Sequence, residues 1–546
     1  MQQIDERAHG GQAPSRKSAV LDGEHPDEIR GALGTVRAPE RGVRRTWRQR
    51  LLALLAIMGP GLIVMVGDND AGGVSTYAQA GQNNGTSLLW TLILLIPVLI
   101  VNQEMVVRLG AVTGVGHARL IFERFGKFWG YFSVVDLFAL NFLTIVTEFI
   151  GISLGAEYFG LSPYIAVPVA AVLLVMIAVT GSFERWERAM FLFIIANLLI
   201  IPLVIIVHAP ISQSLHDTFV PGIKGGITST SILLIIAIVG TTVAPWQLFF
   251  QQSNVIDKRI TPRWIPYERA DTVIGAFVVV LGAGAIMIAA AGAFEGTPLA
   301  GQFVDAGGVA RGIARYASST GGALFAIVLI DASIIGASAV TLATSYAFGD
   351  VFGLRHSLHR SWREAKPFYA SYAGLVFVAA GIVLIPSAPL GLITTAVQAL
   401  AGILLPSASL FLLLLCNDPA VLGPWVNRPW LNALASLILG VLLVLSLILV
   451  TTTIFPSINV GLLFIALTAL LVAGLAALAF FVRSGSESAA PIDRSERDTW
   501  RMPPIALLTR PPASRARTVA LTALFSYLAI AVLLLLVKAV QLATGH

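Results

Sequence analysis

The stretch GPGLIVMVGDNDAGGVSTYAQAGQNNG, residues 59–85, decides how the rest of the chain is read. It opens as an apolar helix, meets Asp68, Asn69 and Asp70 at about the depth where a membrane span crosses the bilayer centre, and runs on through Ala71, Gly72 and Gly73. A carboxylate at that depth is costly, and acids inside apolar spans mark ion paths and other functional positions. The two glycines remove side chains that resist unwinding, so an unwound turn at 67–73 would leave carbonyls and amides free to face an ion or small solute. Irregular backbone at membrane depth is tolerated only where it is buried or lines a wet cavity. The stretch therefore reads as a broken helix built around a transport site.

Working outward, the 546 residues are 56% hydrophobic and only 12% charged, which marks an integral membrane protein in a lipid bilayer. The clearest region lies between Arg428 and Arg483, where no acidic or basic residue occurs and TTTIFPSINVG divides the run into two spans. The formal charge of +6 does not indicate nucleic acid, because the basic residues sit in tails and loops beside the spans. The single cysteine, Cys416, excludes an intramolecular disulfide and reads as a small packing residue.

Spans are expected at about 51–81, 87–108, 128–159, 163–180, 189–208, 227–254, 270–293, 320–350, 367–387 and 391–415, then 430–454 and 458–482, with a thirteenth candidate at 518–541. The domain plan is a disordered cytoplasmic tail at 1–48, a ten-span core at 49–416, two peripheral spans within 417–482, a cytoplasmic linker at 483–517 and a last span within 518–546. Six arginines from Arg37 to Arg50 hold the N-terminus inside. With that start, one set of loops carries Arg108, Arg119, Arg124 and Lys127, then Arg185 and Arg188, then Lys258, Arg259, Arg263 and Arg269, then Arg355, Arg360, Arg363 and Lys366. The opposite loops hold chiefly Lys224, Arg311 and Arg315, so the alternation obeys the positive-inside rule.

The sixth span, ILLIIAIVGTTVAPWQLFFQQSNVID, is interrupted by Gly240 and Pro245 near 240–246. Two broken helices five spans apart, entering from opposite sides, describe an inverted repeat with its substrate site near the midplane. The expected fold is therefore all-α and polytopic, five plus five spans with the first and sixth broken, plus two or three peripheral spans.

These residues resemble the Nramp divalent-metal transporters, whose first span carries Gly-Pro, then Asp-Pro-Gly-Asn and Gln-Ala-Gly. Gly59, Pro60, Asp70, Gly72, Thr76 and Gln79-Ala80-Gly81 line up without a gap. GTTVAPWQL is similar to the family's Gly-Ala-Thr-Val-Met-Pro-His-Asn, with Gly240, Thr242, Val243 and Pro245 in register. Leu109-Gly110, Thr113-Gly114, Glu148-Phe149-Ile150-Gly151 and Leu405-Pro406 also match, over about residues 50–425. The resemblance implies the amino-acid-symporter type of fold and a transported divalent cation, with no cofactor, in a bacterial inner membrane with the N-terminus cytoplasmic.

The departures bear on substrate. In the family the metal is held by the first-span Asp and Asn, a sixth-span carbonyl and the sixth-span Met; here Asp70 remains, Gly73 replaces the Asn, Thr241 keeps its carbonyl and Ala244 replaces the Met. A thioether favours transition metals over magnesium, so its loss removes that discrimination. The family's sixth-span His becomes Trp246, and its tenth-span Gln corresponds to Leu404. A wider site with Asp70, Asp68, Asn69, Gln247 and free carbonyls suits Mg²⁺, which dehydrates reluctantly and keeps several waters; Mn²⁺ is the second substrate. This pattern is similar to the Nramp-related magnesium transporter branch. The third-span Asp of the family's proton route corresponds to Ile145, so uncoupled transport is expected, although Glu148 is a carboxylate able to carry a proton.

Glu104 and Asp331, with Asp136, are further acids in apolar surroundings that could line the ion path or be satisfied within the bundle. Arg185 and Glu187, in SFERWERAM, read as cytoplasmic charges that could pair across the gate, with a solvated loop face as the simpler reading. The histidines show no ligand spacing, and no phosphate loop, nucleophile elbow or zinc motif is present, so the chain is not read as an enzyme or an ATP-driven pump. The alternatives are a proton-coupled Mn²⁺ or Fe²⁺ importer and, in another substrate class, an amino-acid or organic-solute symporter on the same fold. Asp68 and Asp70 disfavour an anionic solute.

Overall fold

The computed structural model describes residues 28–37, 46–386, 389–455, 457–484, 494–495, 497–508 and 517–530. Two short strands, β1 (Glu28–Gly31) and β2 (Gly34–Arg37), precede the helices as an antiparallel hairpin pairing Ile29 with Val36. This corrects the expectation of a wholly disordered tail at 1–48. Ile29 and Val36 alternate onto one face and are buried, and the hairpin packs on the first and eighth helices.

The first span comes in three pieces: α1 (Trp47–Ile57), α2 (Pro60–Val66) and α3 (Ala71–Asn84). α1 and α2 meet at a 54° bend whose pivot, Gly59, has φ +154°, a conformation that L side chains rarely adopt. α4 (Leu89–Thr113) and short α5 (His117–Phe125) follow. Then come α6 (Lys127–Tyr158), α7 (Pro163–Ala178), and α8 (Phe183–Ala196), which continues through a 3-10 turn into α9 (Ile200–Ile206) as one span. After the short α10 (Ile211–Phe219), the sixth span is α11 (Ser229–Thr242) and α12 (Pro245–Asp257).

The second half continues with α13 (Ile265–Phe294), short α14 (Ala306–Tyr316), α15 (Ser319–Phe352), α16 (Lys366–Val383) and α17 (Leu390–Cys416). A one-turn α18 (Pro419–Leu422) leads to the peripheral α19 (Pro429–Ile454), α20 (Val460–Ser484) and α21 (Arg517–Ile530). Among the described residues ten helices are long and apolar enough to cross a membrane, and an eleventh arises if α1 and α2 are taken as one span. The chain is an all-α polytopic protein of the inverted-repeat type. The thirteenth span expected at 518–541 is helical as far as Ile530, where Tyr527 donates to the Ile403 carbonyl at 2.7 Å; the rest lies outside the described residues.

The interrupted spans sit at the centre. α3 packs against α13, α11 and α17, and α12 against α4 and α15. The basic loops gather on one face, which also carries the hairpin. Asp257 accepts from Ser357 and Leu358, Arg108 donates to the Trp425 carbonyl at 2.6 Å, and Arg269 pairs with Glu104. Lys224 belongs to the opposite face, where its carbonyl and amide meet Asn84 and Ser87.

Candidate functional site

The break in the first span is shorter than the glycines suggest. Only residues 67–70 leave the helix, and Gly72 and Gly73 lie inside the first turn of α3. Their use is space rather than unwinding: a Cβ at Gly72 would collide with the Gln398 amide, and one at Gly73 would stand 2.6 Å from the Asp68 carbonyl and 3.3 Å from Thr241 Oγ1. Asp70 caps α3, its Oδ1 accepting from Gly73 N at 2.7 Å. Glu148 of α6 reaches the same helix start, its Oε2 accepting from Ala71 N at 3.0 Å. Gly336 of α15 makes room for both, since a Cβ there would lie 2.6 Å from Glu148 Oε2 and 2.7 Å from the Asp70 Cβ.

Asp68, Asp70 and Glu148 are all buried, and among the described residues no lysine or arginine pairs with any of them. Both oxygens of Asp68 and Oε1 of Glu148 lack a hydrogen-bond partner. Buried carboxylates left this way are costly unless a cation compensates them.

The sixth break faces this group with backbone. Thr241 lies in the last turn of α11, and the residue four further on, whose amide would ordinarily bond its carbonyl, is Pro245. The Thr241 carbonyl is thus left without its helical partner, and Thr241 Oγ1 has none either. Tyr77 joins the two breaks through a 2.7 Å hydrogen bond with Thr242. Ala244 is the N-cap of α12 and contributes no side-chain cap.

Other expected site residues are used differently. Gln247 donates to the Thr242 carbonyl at 3.1 Å and accepts from Gln103 at 2.9 Å, and its amide also lies beside the Asp68 carboxylate. Asn69 donates its amide to the Val279 carbonyl of α13 at 3.1 Å, and its Oδ1 has no hydrogen-bond partner. Trp246 packs on Phe250 and against Gly67, closing the side of the first break. Glu104 belongs to an ion-pair network with Arg108 and Arg269, and Asp331 accepts from Asn197 of the fifth span at 3.2 Å. Neither joins the central group. Asp136 accepts from Ser407 at 3.0 Å in a separate water-sized pocket beside Pro245.

Two readings are corrected by position, and one residue is added. Leu404, the position of the family's tenth-span glutamine, packs against Leu140 and Val397, while Gln398 of the same span, which the sequence reading did not single out, is buried with its Nε2 unpartnered beside Gly72 and Asp70. A lone glutamine in an apolar helix offers no sequence periodicity by which to find it. Glu187 is not on a solvated face: it is fully buried and paired with buried Lys258 at 2.6 Å. The other corrected reading is the extent of the unwound turn, described above. Cys416 packs as expected, its thiol 3.6 Å from the Met105 carbonyl.

Among the described residues no three His, Cys, Asp or Glu side chains are placed to hold a metal together. Any bound cation would rely on amide, carbonyl and water oxygens as well as carboxylate. His117 of α5, against Phe249 and 2.8 Å from Gln252, has its imidazole pushed down to about 4 by burial, so it is neutral at physiological pH.

The family model described as natural resistance-associated macrophage protein-like, Nramp, matches residues 61–452. The chain belongs to the Nramp family. Two bacterial Nramp relatives are the divalent metal cation transporters MntH of Lacticaseibacillus casei, 26% identical over 73% of this chain and 90% of its own length, and of Ralstonia nicotianae, 28% identical over 78% and 95%. In three dimensions this Nramp chain is similar to the Eremococcus coleocola manganese transporter, with a TM-score of 0.61 at 19% identity, covering 81% of this chain and 97% of the other. The fold expected from two interrupted spans is the fold of that neighbour.

Proposed function

We propose that this Nramp chain carries divalent metal cations across a bacterial inner membrane by alternating access, with its N-terminus in the cytoplasm. The observation that carries the reading is the group of three buried acids at the first break, unpaired by any lysine or arginine among the described residues. A divalent ion there would compensate Asp70 and Glu148 and could take as neutral ligands the Thr241 carbonyl and, with its amide turned over to present Oε1, the Gln398 side chain. The naming of the relatives as divalent metal cation transporters agrees with this. So does the gathering of basic loops on the hairpin face, which the positive-inside rule assigns to the cytoplasm.

Within that class we propose Mg²⁺, retained partly hydrated, with Mn²⁺ also carried. Support comes from Ala244, which supplies no thioether, and from the lack of a three-residue ligand cluster. Uncoupled movement, driven by the gradient and membrane potential, is proposed because Ile145 and Trp246 cannot titrate. In proteoliposomes with an internal pH dye, Mg²⁺ uptake without acidification is the expected result; acidification that follows the metal would refute uncoupled transport. A second reading, a proton-coupled Mn²⁺ importer, is favoured by one observation, the contact of Glu148 with the capped start of α3 beside Asp70.

A further inference from the structure

The hairpin is joined to the first half of the first span by a continuous chain of buried contacts. At its turn, Ala32 N donates to Glu187 Oε2 at 2.6 Å. Glu187 Oε1 accepts from Lys258 Nζ at 2.6 Å, with both side chains fully buried, and Lys258 donates onward to the Met58 carbonyl at 2.8 Å. Met58 and Gly59 form the bend between α1 and α2. Asp271 of α13 holds the far side of that bend, accepting from Gly59, Gly61 and Leu62 amides at 3.0, 2.7 and 3.2 Å.

The fit is close at both ends. A Cβ at Gly31 would strike the Ala56 carbonyl of α1, and one at Gly59 would strike Glu187. Ile29 and Val36 bury their side chains in the same place, where Ala53, Ala56 and Ile57 of α1 are also buried. A half-helix hinged at a glycine with positive φ, and separated from the rest of its span by the break at 67–70, is the kind of element that rotates when a broken-helix carrier opens. The contacts described here resist that rotation, because swinging α1 and α2 away from α13 would take the Met58 carbonyl from buried Lys258 and the Gly59, Gly61 and Leu62 amides from buried Asp271.

We propose that the N-terminal hairpin is an autoinhibitory latch: seated on Glu187, it holds the α1–α2 half-helix shut on the cytoplasmic side, and ion release requires the hairpin to leave. The proposal rests on the reading of the chain as an alternating-access carrier whose hairpin face is the exit. The occupant is the chain's own segment 28–37, and the surface it covers is the hinge of the ion-binding span.

The test uses the full-length protein with Cys416→Ala and a reporter, Thr272→Cys, placed behind α2, where the residue is buried and its amide nitrogen would lie 2.7 Å from a Cβ at Gly61. Ala32→Pro removes the amide that binds Glu187 and leaves the rest of the chain unchanged; deletion of residues 28–37 is the second variant. Labelling of Thr272→Cys by a water-soluble maleimide from the hairpin side is expected to rise about 10-fold in Ala32→Pro, the effect of losing one hydrogen bond to a charged group. Mn²⁺ flux into proteoliposomes should rise with it. A cleavable crosslink between cysteines at Leu33 and Arg188 should stop flux until it is cut. Unchanged labelling in both variants overturns the latch whether or not any ion moves. Raised labelling in a protein that moves neither Mg²⁺ nor Mn²⁺ would keep the latch and defeat the carrier reading.

Discussion

The first and sixth spans are broken at matching places in the two halves, yet the two breaks are chemically unlike. At the first, Asp70 and Glu148 meet at the start of α3 with Asp68 buried in the same break, and both oxygens of Asp68 and one of Glu148 are without partners. At the sixth, most side chains are neutral and engaged: Gln247 binds the Thr242 carbonyl and Gln103, and Tyr77 binds Thr242, with Thr241 Oγ1 left free. What the sixth break offers is backbone, the Thr241 carbonyl released by Pro245. The symmetry of the fold supplies two openings, and the distribution of charge assigns them different work. In the proposed carrier the first binds the ion, and the other presents a neutral oxygen.

This contrast can be broken most sharply at Asp70. Asp70→Ala should abolish uptake of both Mg²⁺ and Mn²⁺ and lower metal affinity, measured by calorimetry, by more than the roughly 10–100-fold that loss of an outer-shell partner costs. If affinity survived, the charge would have to reside elsewhere. Next in size, Gln247→Ala should leave metal affinity near that of the native protein but lower stability in detergent by about 1–3 kcal/mol, because the Thr242 carbonyl and Gln103 amide lose their buried partner. A large loss of affinity with unchanged melting would mean that Gln247 is itself a ligand.

Ala244→Met restores a soft ligand to the sixth break. It should shift competition between Mn²⁺ and Mg²⁺ toward Mn²⁺ by about 10-fold, a change of ~1.4 kcal/mol. No shift would show that residue 244 does not face the ion. The smallest effect is expected away from both breaks: Asp331→Asn, which keeps a polar partner for Asn197, and Glu104→Gln should leave metal affinity unchanged. Loss of affinity in either would extend the ion path beyond the central group.

Much of this arrangement is legible in the sequence because hydrocarbon is an unforgiving solvent. Uninterrupted apolar runs, Gly240 with Pro245, and Asp70 beyond a glycine are each costly unless they mean a span, a break or a site. What escapes depends on contacts between distant segments. Gln398 reaches Asp70 only because Gly72 has no side chain, and Gly240 allows α11 and α17 to pack that closely, since a Cβ there would strike the Gln398 carbonyl. Glu187 looks like a loop charge until Lys258, 71 positions away, is brought to it. The hairpin is ten residues with two buried side chains, too short for its alternation to stand out from a polar tail.

The most direct test of the central claim is the position of a bound ion. Crystals of the full-length protein grown with Mn²⁺ should show an anomalous difference peak within coordination distance of Asp70 and of at least one neutral ligand, the Thr241 carbonyl or the Gln398 side chain. A peak held instead by Asp136, or by Gln247 without Asp70, would contradict the account and move the site away from the first break.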